Sequence, residues 1–227
     1  MGHALIEEVL PELVMSADSM FDSDEQVFYP KELLSISSAS AKRRRHFRNG
    51  RWCARRALES LGYAPVAINQ GPNHEPLWPS GVVGSISHCS GYSCAAVGDS
   101  KVFSAIGIDA EPNKPLRPEL RPLIAGTREL ALIDQLTASD DSVSWDKLLF
   151  CIKEAAYKSW FPRNRMWLDF YDIDANIERG NGTFSVSFFP GANATTGDDM
   201  RHNLGRWIVC NGFIVVALVV YPTDGNS

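Results

Sequence analysis

The chain of 227 residues is predicted to be an α+β protein made of two similar halves, each a small antiparallel sheet with helices. Apolar residues recur at three- and four-residue spacing in two long segments, at about 39–61 and 145–160, as on one face of a helix. Short β-like runs follow both segments, at 82–108 and 172–221. This repeated order of helix and then strands predicts two similar halves within one chain, although no repeat of individual residues accompanies it.

A proline-rich stretch near the middle of the chain sets the predicted boundary between the halves. We expect a first half over residues 1–111, a linker over 112–118 and a second half over 119–227. Asn211-Gly212 and Gly98–Lys101 are each predicted to turn a β-hairpin.

Two further segments are predicted to be irregular. The acidic, serine-rich residues 16–38 are expected to form a surface loop with short turns, and Pro190–Met200 a second loop.

The second helical segment carries the most distinctive polar residues of the chain. Ser144 is a candidate N-cap and Pro162 is expected to end the helix. Glu154 and Lys158 are four residues apart, so their side chains lie on one helical face. A surface ion pair is the simplest interpretation of the two, and the motifs below favour a functional one.

Composition limits the classes of function. Apolar residues make up 44% and charged residues 22%, as in a globular protein, and the net charge of −5 argues against general nucleic-acid binding. Charge is uneven, with eight acids and one base in residues 1–40 and eight bases without an acid in residues 42–56. An anionic ligand is therefore expected at the second segment.

The cysteines and the apolar runs of the sequence bear on the cellular location of the protein. The five cysteines include no C-x-x-C pair, which predicts neither a zinc site nor a disulfide framework and favours the reducing cytoplasm. The N-terminus lacks the basic start of a signal peptide, and the most apolar run, Phe213–Tyr221, is too short to cross a bilayer. We expect no membrane association.

The motif G-I-D-A-E-P, residues 107–112, places two carboxylates on one side of a strand. Asp109 and Glu111 alternate with Ala110, so their side chains project together with the Ala110 carbonyl nearby. Such a pair repels unless a cation is shared, and Mg²⁺ prefers one or two carboxylates completed by phosphate oxygens and water. Two solvated acids at a strand end are the alternative.

Two further segments suit an anionic ligand. Ser87 and His88 lie among glycines and hydroxyl residues in the run 84–92, which fits a phosphate pocket; a satisfied core histidine is the alternative. In the basic helix, Arg44, Arg48, Arg51 and Arg55 form one stripe, suited to a phosphate ester. A solvated face or a nucleic-acid-binding helix would give the same pattern.

These motifs together resemble the 4′-phosphopantetheinyl transferases of the surfactin and enterobactin type. The order matches over about residues 41–168: a basic arginine segment, W-P-x-G at 78–81, G-S-I-S-H-C at 84–89, G-I-D-A-E at 107–111 and F-C-I-K-E-A-A-Y-K at 150–158. The chain departs from many relatives at His74, where they carry glycine.

The resemblance implies a monomeric enzyme that transfers phosphopantetheine from coenzyme A to a serine of an acyl- or peptidyl-carrier protein, with Mg²⁺, leaving adenosine 3′,5′-bisphosphate. It leaves open whether the carrier serves fatty acid, polyketide, siderophore or nonribosomal peptide synthesis. It implies metal binding by Asp109, Ala110, Glu111 and Glu154. It also implies coenzyme A contacts by Arg43, Arg51, Gly71, Asn73, Ser87, His88, Asp109, Lys153, Tyr157, Lys158 and Trp167.

Within that scheme, Glu154 is expected to take the proton of the carrier serine and Lys158, assisted by Lys153, to stabilise the departing phosphate. The run from Trp160 to Trp167, with Arg163 and Arg165, is expected to receive the carrier protein. A Mg²⁺-dependent nucleotide phosphohydrolase and a nucleic-acid-binding module remain the alternative functions.

Overall fold

The protein is described here from a computed structural model that covers residues 4–20, 29–34, 36–189 and 203–222. The strands are β1 (Met15–Ser19), β2 (Asn69–Gln70), β3 (Pro76–Leu77), β4 (Val82–Cys89), β5 (Tyr92–Asp99), β6 (Ala105–Pro112), β7 (Ile173–Glu178), β8 (Thr183–Phe188), β9 (Asn203–Cys210) and β10 (Phe213–Val220). The α-helices are α1 (Pro30–Leu34), α2 (Ala41–Ser60), α3 (Arg121–Ile124), α4 (Thr127–Ser139) and α5 (Trp145–Asn164).

The strands form three antiparallel sheets. One has three strands in the order β1-β5-β4, the second has five in the order β6-β10-β9-β8-β7, and β2 pairs with β3 alone. Helix α2 packs on the three-stranded sheet, and α5 packs on the five-stranded sheet. The predicted α+β class, with a long helix on an antiparallel sheet in each half, is confirmed.

Strand β6 connects the two sheets. It follows β5 in the chain but pairs along its whole length with β10, while β5 pairs with β4 and β1. The hairpin predicted at Gly98–Lys101 is therefore wrong, because a local turn signal does not specify which strand the chain pairs with next. The division at residue 111 stays a prediction. The strand pairing of β6 is with β10 of the second half, while its Ile108 and Ala110 amides donate to the hydroxyls of Ser85 and Ser87 on β4.

The acidic segment 16–38 is only partly irregular. Residues Met15–Ser19 form an edge strand on β5, and Pro30–Leu34 form a short helix whose Glu32 is fully buried. The burial of Glu32 contradicts the expected surface loop. Its carboxylate oxygen Oε1 lies 2.7 Å from Nη1 of Arg55. The loop predicted at Pro190–Met200 lies outside the described residues.

The two long helices follow their apolar periodicity. Ser40 caps α2 by accepting a hydrogen bond from the Arg43 amide. Helix α5 continues through Pro162 to Asn164 and ends at Arg165, which has a left-handed φ of 53°. The predicted stop at Pro162 is therefore wrong, and Ser144 makes no side-chain cap bond.

The Asn211-Gly212 turn was correctly predicted. It joins β9 to β10, and both residues have positive φ, 51° and 79°, as a tight hairpin turn requires. In the part of the chain that is described, no helix has the length and apolar character needed to cross a membrane.

Strand alternation places the acidic motif against α5. Ile106, Ile108 and Ala110 face a core cluster shared with β5 and the N-terminal turn Leu5–Val9. Gly107 therefore faces α5, and a Cβ atom built on it would lie 1.9 Å from the Ala155 carbonyl oxygen. Only glycine allows the strand to approach the helix this closely.

We predict that Gly107→Ala destabilises the fold by about 3 kcal/mol or more, because neither backbone can yield without separating β6 from α5. The free energy of unfolding in urea measures it. Gly180→Ala is the matched control, since a Cβ there meets nothing within 4 Å, and it should change stability by less than about 0.5 kcal/mol. Equal stability of the two variants would contradict the proposed close packing.

Candidate active site

A cavity of about 380 Å³ opens between α2, β4, β6 and α5. It collects polar residues from both halves, so it depends on the packing of the whole chain. Residues on its wall are Arg43, Phe47, Arg51, Gln70, Asn73, His74, Glu75, Pro76, Gly84, Ser85, Ile86, Ser87, His88, Asp109, Glu154, Tyr157, Lys158, Phe161 and Pro162. We call it the basic cavity.

Asp109 and Lys158 form the charged centre of this cavity. The Lys158 ammonium donates to Asp109 Oδ1 at 2.7 Å and to the Ile108 carbonyl at 3.2 Å. Ser87 Oγ donates to the same Asp109 oxygen at 2.8 Å and accepts from the Ala110 amide at 3.1 Å. Burial alone would lower the pKa of Lys158, but Asp109 and Glu154 outweigh it and raise this pKa above its usual value.

Glu111 projects to the same side of β6 but has a different partner. Its carboxylate lies 3.6 Å from the Lys147 ammonium, one of the positions that the sequence did not single out. Burial raises the pKa of Glu111. Lys147 opposes this shift, and repulsion from Asp109 adds to it. The two acids are thus each held by a lysine of α5, and neither the Glu111 nor the Ala110 side chain is on the wall of the basic cavity.

One carboxylate oxygen of the acidic motif fits a divalent cation. Among the described residues, no cluster of three or more His, Cys, Asp or Glu side chains is arranged to hold a metal by itself. Asp109 Oδ2, however, is buried and has no hydrogen-bond partner in the described part of the chain. A buried carboxylate oxygen without a donor fits Mg²⁺, which takes few protein ligands when phosphate and water complete its shell.

Arg43, Arg51 and His88 form the basic wall of the cavity. Arg44, which the helical stripe favoured, turns away and donates to the Ala39 carbonyl. Arg51 and Arg55 are buried, with 6% and 7% exposure, so the predicted arginine stripe is not an open nucleic-acid surface.

Arg51 is held by its surroundings on the cavity wall. Its Nε donates to the Ile68 carbonyl at 3.1 Å, and the guanidinium lies 4.1 Å from the centre of the Phe47 ring. Burial, together with Arg55 and Arg43, lowers the pKa of Arg51 to about 10, so it stays charged at neutral pH.

Three buried polar atoms around the cavity have no hydrogen-bond partner among the described residues: Arg51 Nη2, His88 Nδ1 and Asp109 Oδ2. Burial, with His46, Lys158 and Arg43 nearby, lowers the pKa of His88 to about 4, so its imidazole is neutral at pH 7. Buried groups of this kind are costly unless a ligand satisfies them. Their convergence on one cavity indicates a polar ligand.

The loop between β2 and β3 closes one end of the cavity. Glu75 folds back on it, accepting from the Asn73 amide at 3.0 Å, and a Cβ on Gly71 would lie 2.3 Å from the Glu75 carboxyl carbon. Asn73 and His74 line the cavity, whereas Gly71, which was expected to contact coenzyme A, is not on its wall. His74, the departure from the family pattern, has the left-handed φ of 68° that glycine would adopt freely.

Glu154 and Tyr157 lie where the basic cavity meets a second one. This second cavity, about 240 Å³, is walled by both of them together with Trp167, Leu168, Phe170 and Ile173, and we call it the apolar cavity. Burial raises the pKa of Glu154; Lys158 opposes this, and Asp109 and Glu111 add to it. A carboxylate with a raised pKa is a stronger base, which suits Glu154 to accept a proton.

Lys153 is not on the wall of the basic cavity. Its ammonium is completely buried and lies 2.8 Å from a Glu129 carboxylate oxygen. This geometry does not support the predicted contact between Lys153 and a phosphate. Trp167, by contrast, is 72% exposed beside the apolar cavity.

Sequence reasoning missed several residues of the site. Glu75 and Arg165 form an ion pair at 2.6 Å that joins the β2–β3 loop to the end of α5. Phe47 and Lys147 were likewise missed, since neither stands in a motif.

Comparison with known proteins agrees with this geometry. A family model described as the 4′-phosphopantetheinyl transferase N-terminal domain matches residues 30–98, and one described as the 4′-phosphopantetheinyl transferase superfamily matches residues 105–201.

Similar proteins extend over nearly the whole chain. The 4′-phosphopantetheinyl transferase Npt of Nocardia iowensis is 39% identical over 222 residues, which cover 94% of this chain and 99% of that one. PptT of Mycobacterium tuberculosis is 36% identical, with 95% and 98% covered. Enterobactin synthase component D of Salmonella typhi is 31% identical over 63% of this chain and 61% of its own. The chain therefore belongs to the 4′-phosphopantetheinyl transferase superfamily.

Proposed function

We propose that this enzyme transfers the 4′-phosphopantetheine group of coenzyme A to a serine of an apo acyl- or peptidyl-carrier protein. In this proposal the reaction needs Mg²⁺ and releases adenosine 3′,5′-bisphosphate. One observation carries it: a basic cavity and an apolar cavity share Glu154 and Tyr157 as their common wall. A ligand with phosphates at one end and a long, weakly polar arm at the other would occupy both.

The basic cavity would hold the nucleotide end. Arg51 Nη2 and His88 Nδ1, which have no partner among the described residues, would satisfy phosphate oxygens, with Arg43 beside them. The loop with Asn73 and His74 would face the adenine, and Tyr157 and Trp167 would flank the pantetheine arm.

The acidic motif would hold the metal. Asp109 would be the principal ligand through its Oδ2, which no described residue contacts by a hydrogen bond, and Glu111, Glu154 and the Ala110 carbonyl are the other candidates. When bound, Mg²⁺ would supply positive charge to the pyrophosphate oxygens.

The protein's own residues account for the proton and the leaving group. Glu154 would accept the proton of the carrier serine as its oxygen bonds to the phosphorus of the pantetheine phosphate. The bond from that phosphorus to the oxygen of the adenosine-side phosphate breaks at the same time, and the bisphosphate leaves. Lys158 uses two of its three N–H groups on described residues, so one can donate to the departing oxygen. We also propose that the enzyme works as a monomer in the cytoplasm; the five free cysteines fit a reducing compartment.

The test of the reaction is the intact mass of an apo carrier protein after incubation with this enzyme, coenzyme A and Mg²⁺. We expect a gain of one phosphopantetheine group, which EDTA abolishes. No gain on fatty-acid and peptide carriers, together with slow hydrolysis of coenzyme A, would replace the proposal with a phosphohydrolase.

Glu154→Gln should lower kcat roughly 100-fold or more and leave coenzyme A affinity within a few-fold, because the amide cannot take the serine proton. Steady-state transfer and titration of coenzyme A measure the two effects. The matched control is Glu178→Gln, an exposed acid at the end of β7, which should retain full activity. Unchanged transfer by Glu154→Gln would remove the residue from the mechanism.

The neutral state of His88 predicts a pH effect on stability. Its folded pKa of about 4 lies below the ordinary value of 6.5, so protons bind preferentially to the unfolded chain between these values. Stability from this group is complete above pH 6.5 and falls with pH, by about 2 kcal/mol between pH 7 and pH 5.

Urea unfolding at both pH values tests this in wild type and His88→Gln, whose uncharged amide should remove that part of the pH dependence. Saturating coenzyme A should reduce it in the wild type, because a phosphate beside His88 favours the imidazolium. An identical pH slope in wild type and variant would contradict a buried, neutral His88.

The carrier docking surface needs correction from the first expectation. Trp160 and Phe161 are buried and the exposed Arg165 is paired with Glu75. Pro162, Arg163 and Trp167 of that run are exposed as well. Leu123 and Tyr171, 61% and 59% exposed, adjoin each other because the Tyr171 hydroxyl donates to the Pro122 carbonyl. We propose that a carrier with an acidic and apolar helix docks on Trp167, Leu123 and Tyr171, with Arg163 at the rim.

Arg163→Glu should therefore raise KM for an acidic carrier protein several-fold and leave KM for coenzyme A unchanged, because only the carrier meets the reversed charge. The control is Arg206→Glu, an exposed arginine of β9 that lines none of the cavities described. An increase confined to KM for coenzyme A would move the docking surface elsewhere.

A further inference from the structure

Lys153 has all three of its ammonium donors occupied inside the protein. It donates to the Ile124 carbonyl at 2.8 Å, to Glu129 Oε2 at 2.8 Å and to the Phe170 carbonyl at 2.9 Å. None of its side chain is exposed to solvent. The ammonium has no donor left for a substrate phosphate without leaving these partners.

Glu129 extends the same cluster to further elements. Its Oε2 also accepts from the Gly126 amide at 3.0 Å, where α4 begins, and its Oε1 accepts from the Ala175 amide of β7 at 3.1 Å. The Glu129 side chain is only 6% exposed. One ion pair therefore ties α5 to the end of α3, the start of α4, β7 and the 3₁₀ turn Phe170–Asp172.

The Lys153–Glu129 ion pair lies next to Glu154 on α5 and next to the wall of the apolar cavity. Lys153 directly precedes Glu154 on α5, and both line the apolar cavity together with Phe170. The bond from Lys153 to the Phe170 carbonyl fixes the segment that follows Trp167, which also lines that cavity. Loss of the pair would release the helix turn and this wall together.

We propose that Lys153 is a positioning residue, which with Glu129 holds the Glu154 turn of α5 and the wall of the apolar cavity in place. It acts through Glu154 and touches no phosphate. This inference rests on the proposed role of Glu154 in transfer. It assigns to Glu129, on a different helix, a part in the same reaction.

A buried ion pair and a phosphate ligand respond differently to removal of the second partner. Taking away one member of a buried pair leaves an uncompensated charge, which is strongly unfavourable, whereas neutralising both members is far milder. A phosphate ligand once lost is not restored by a change at Glu129. The experiment therefore compares Lys153→Met, Glu129→Gln and the double variant.

Thermal unfolding, coenzyme A affinity by titration and kcat on an apo carrier protein are measured for each. Lys153→Met should lower the melting temperature by about 5 °C or more and kcat at least 10-fold, with coenzyme A affinity within about two-fold. The double variant should melt higher than Lys153→Met and recover part of kcat. Exposed Lys101→Met serves as the control and should match the wild type in all three.

A double variant no more stable than Lys153→Met, folded or not, would overturn the pairing. A ten-fold loss of coenzyme A affinity in Lys153→Met that persists in the double variant would overturn it too, and would restore Lys153 as a phosphate ligand. Failure of the wild type to modify any carrier would reject the proposed function instead, and the melting and affinity comparisons would still decide the pairing.

Discussion

The site depends on the close contact between β6 and α5. Because Gly107 has no side chain, β6 lies against the backbone of α5 at Ala155. That separation is short enough for the Lys158 ammonium to reach both Asp109 and the Ile108 carbonyl. A wider spacing would separate the acid from the lysine, and Glu154, one turn earlier on α5, would no longer share a cavity wall with Asp109. The glycine of the acidic motif is thus a packing requirement for the chemistry that follows it.

Several charged residues inside the protein are held in pairs, and three of the buried polar atoms without described partners lie together at the site. Glu32 with Arg55 and Glu129 with Lys153 are buried partners that join distant segments. The basic cavity instead retains three buried polar atoms without described partners, on Arg51, His88 and Asp109. Because such groups destabilise a fold, their presence in one place is explained by a ligand that satisfies them.

Sequence alone was sufficient for features set by local patterns and insufficient for those set by distant contacts. The periodicity of α2 and α5 and the Asn211-Gly212 turn were predictable because each is encoded by neighbouring residues. The pairing of β6 with β10 was not, since a strand's alternation fixes its faces but not its partner. The burial of Lys153 was hidden for the same reason: its helix position gives its direction, while Glu129 and two carbonyls from other segments decide its environment.

The two lysines of the K-E-A-A-Y-K motif show how one helix can separate structural from chemical tasks. Lys153 and Lys158 are five residues apart, which on a helix with 3.6 residues per turn rotates their side chains by about 140°. Lys153 therefore points towards α3 and α4, while Lys158 points towards β6 and the basic cavity. Glu154 lies four residues before Lys158, on the face of Lys158, and still adjoins Lys153 in the chain. A single turn thus carries the residue proposed to accept the proton and, beside it, the charge that anchors the turn.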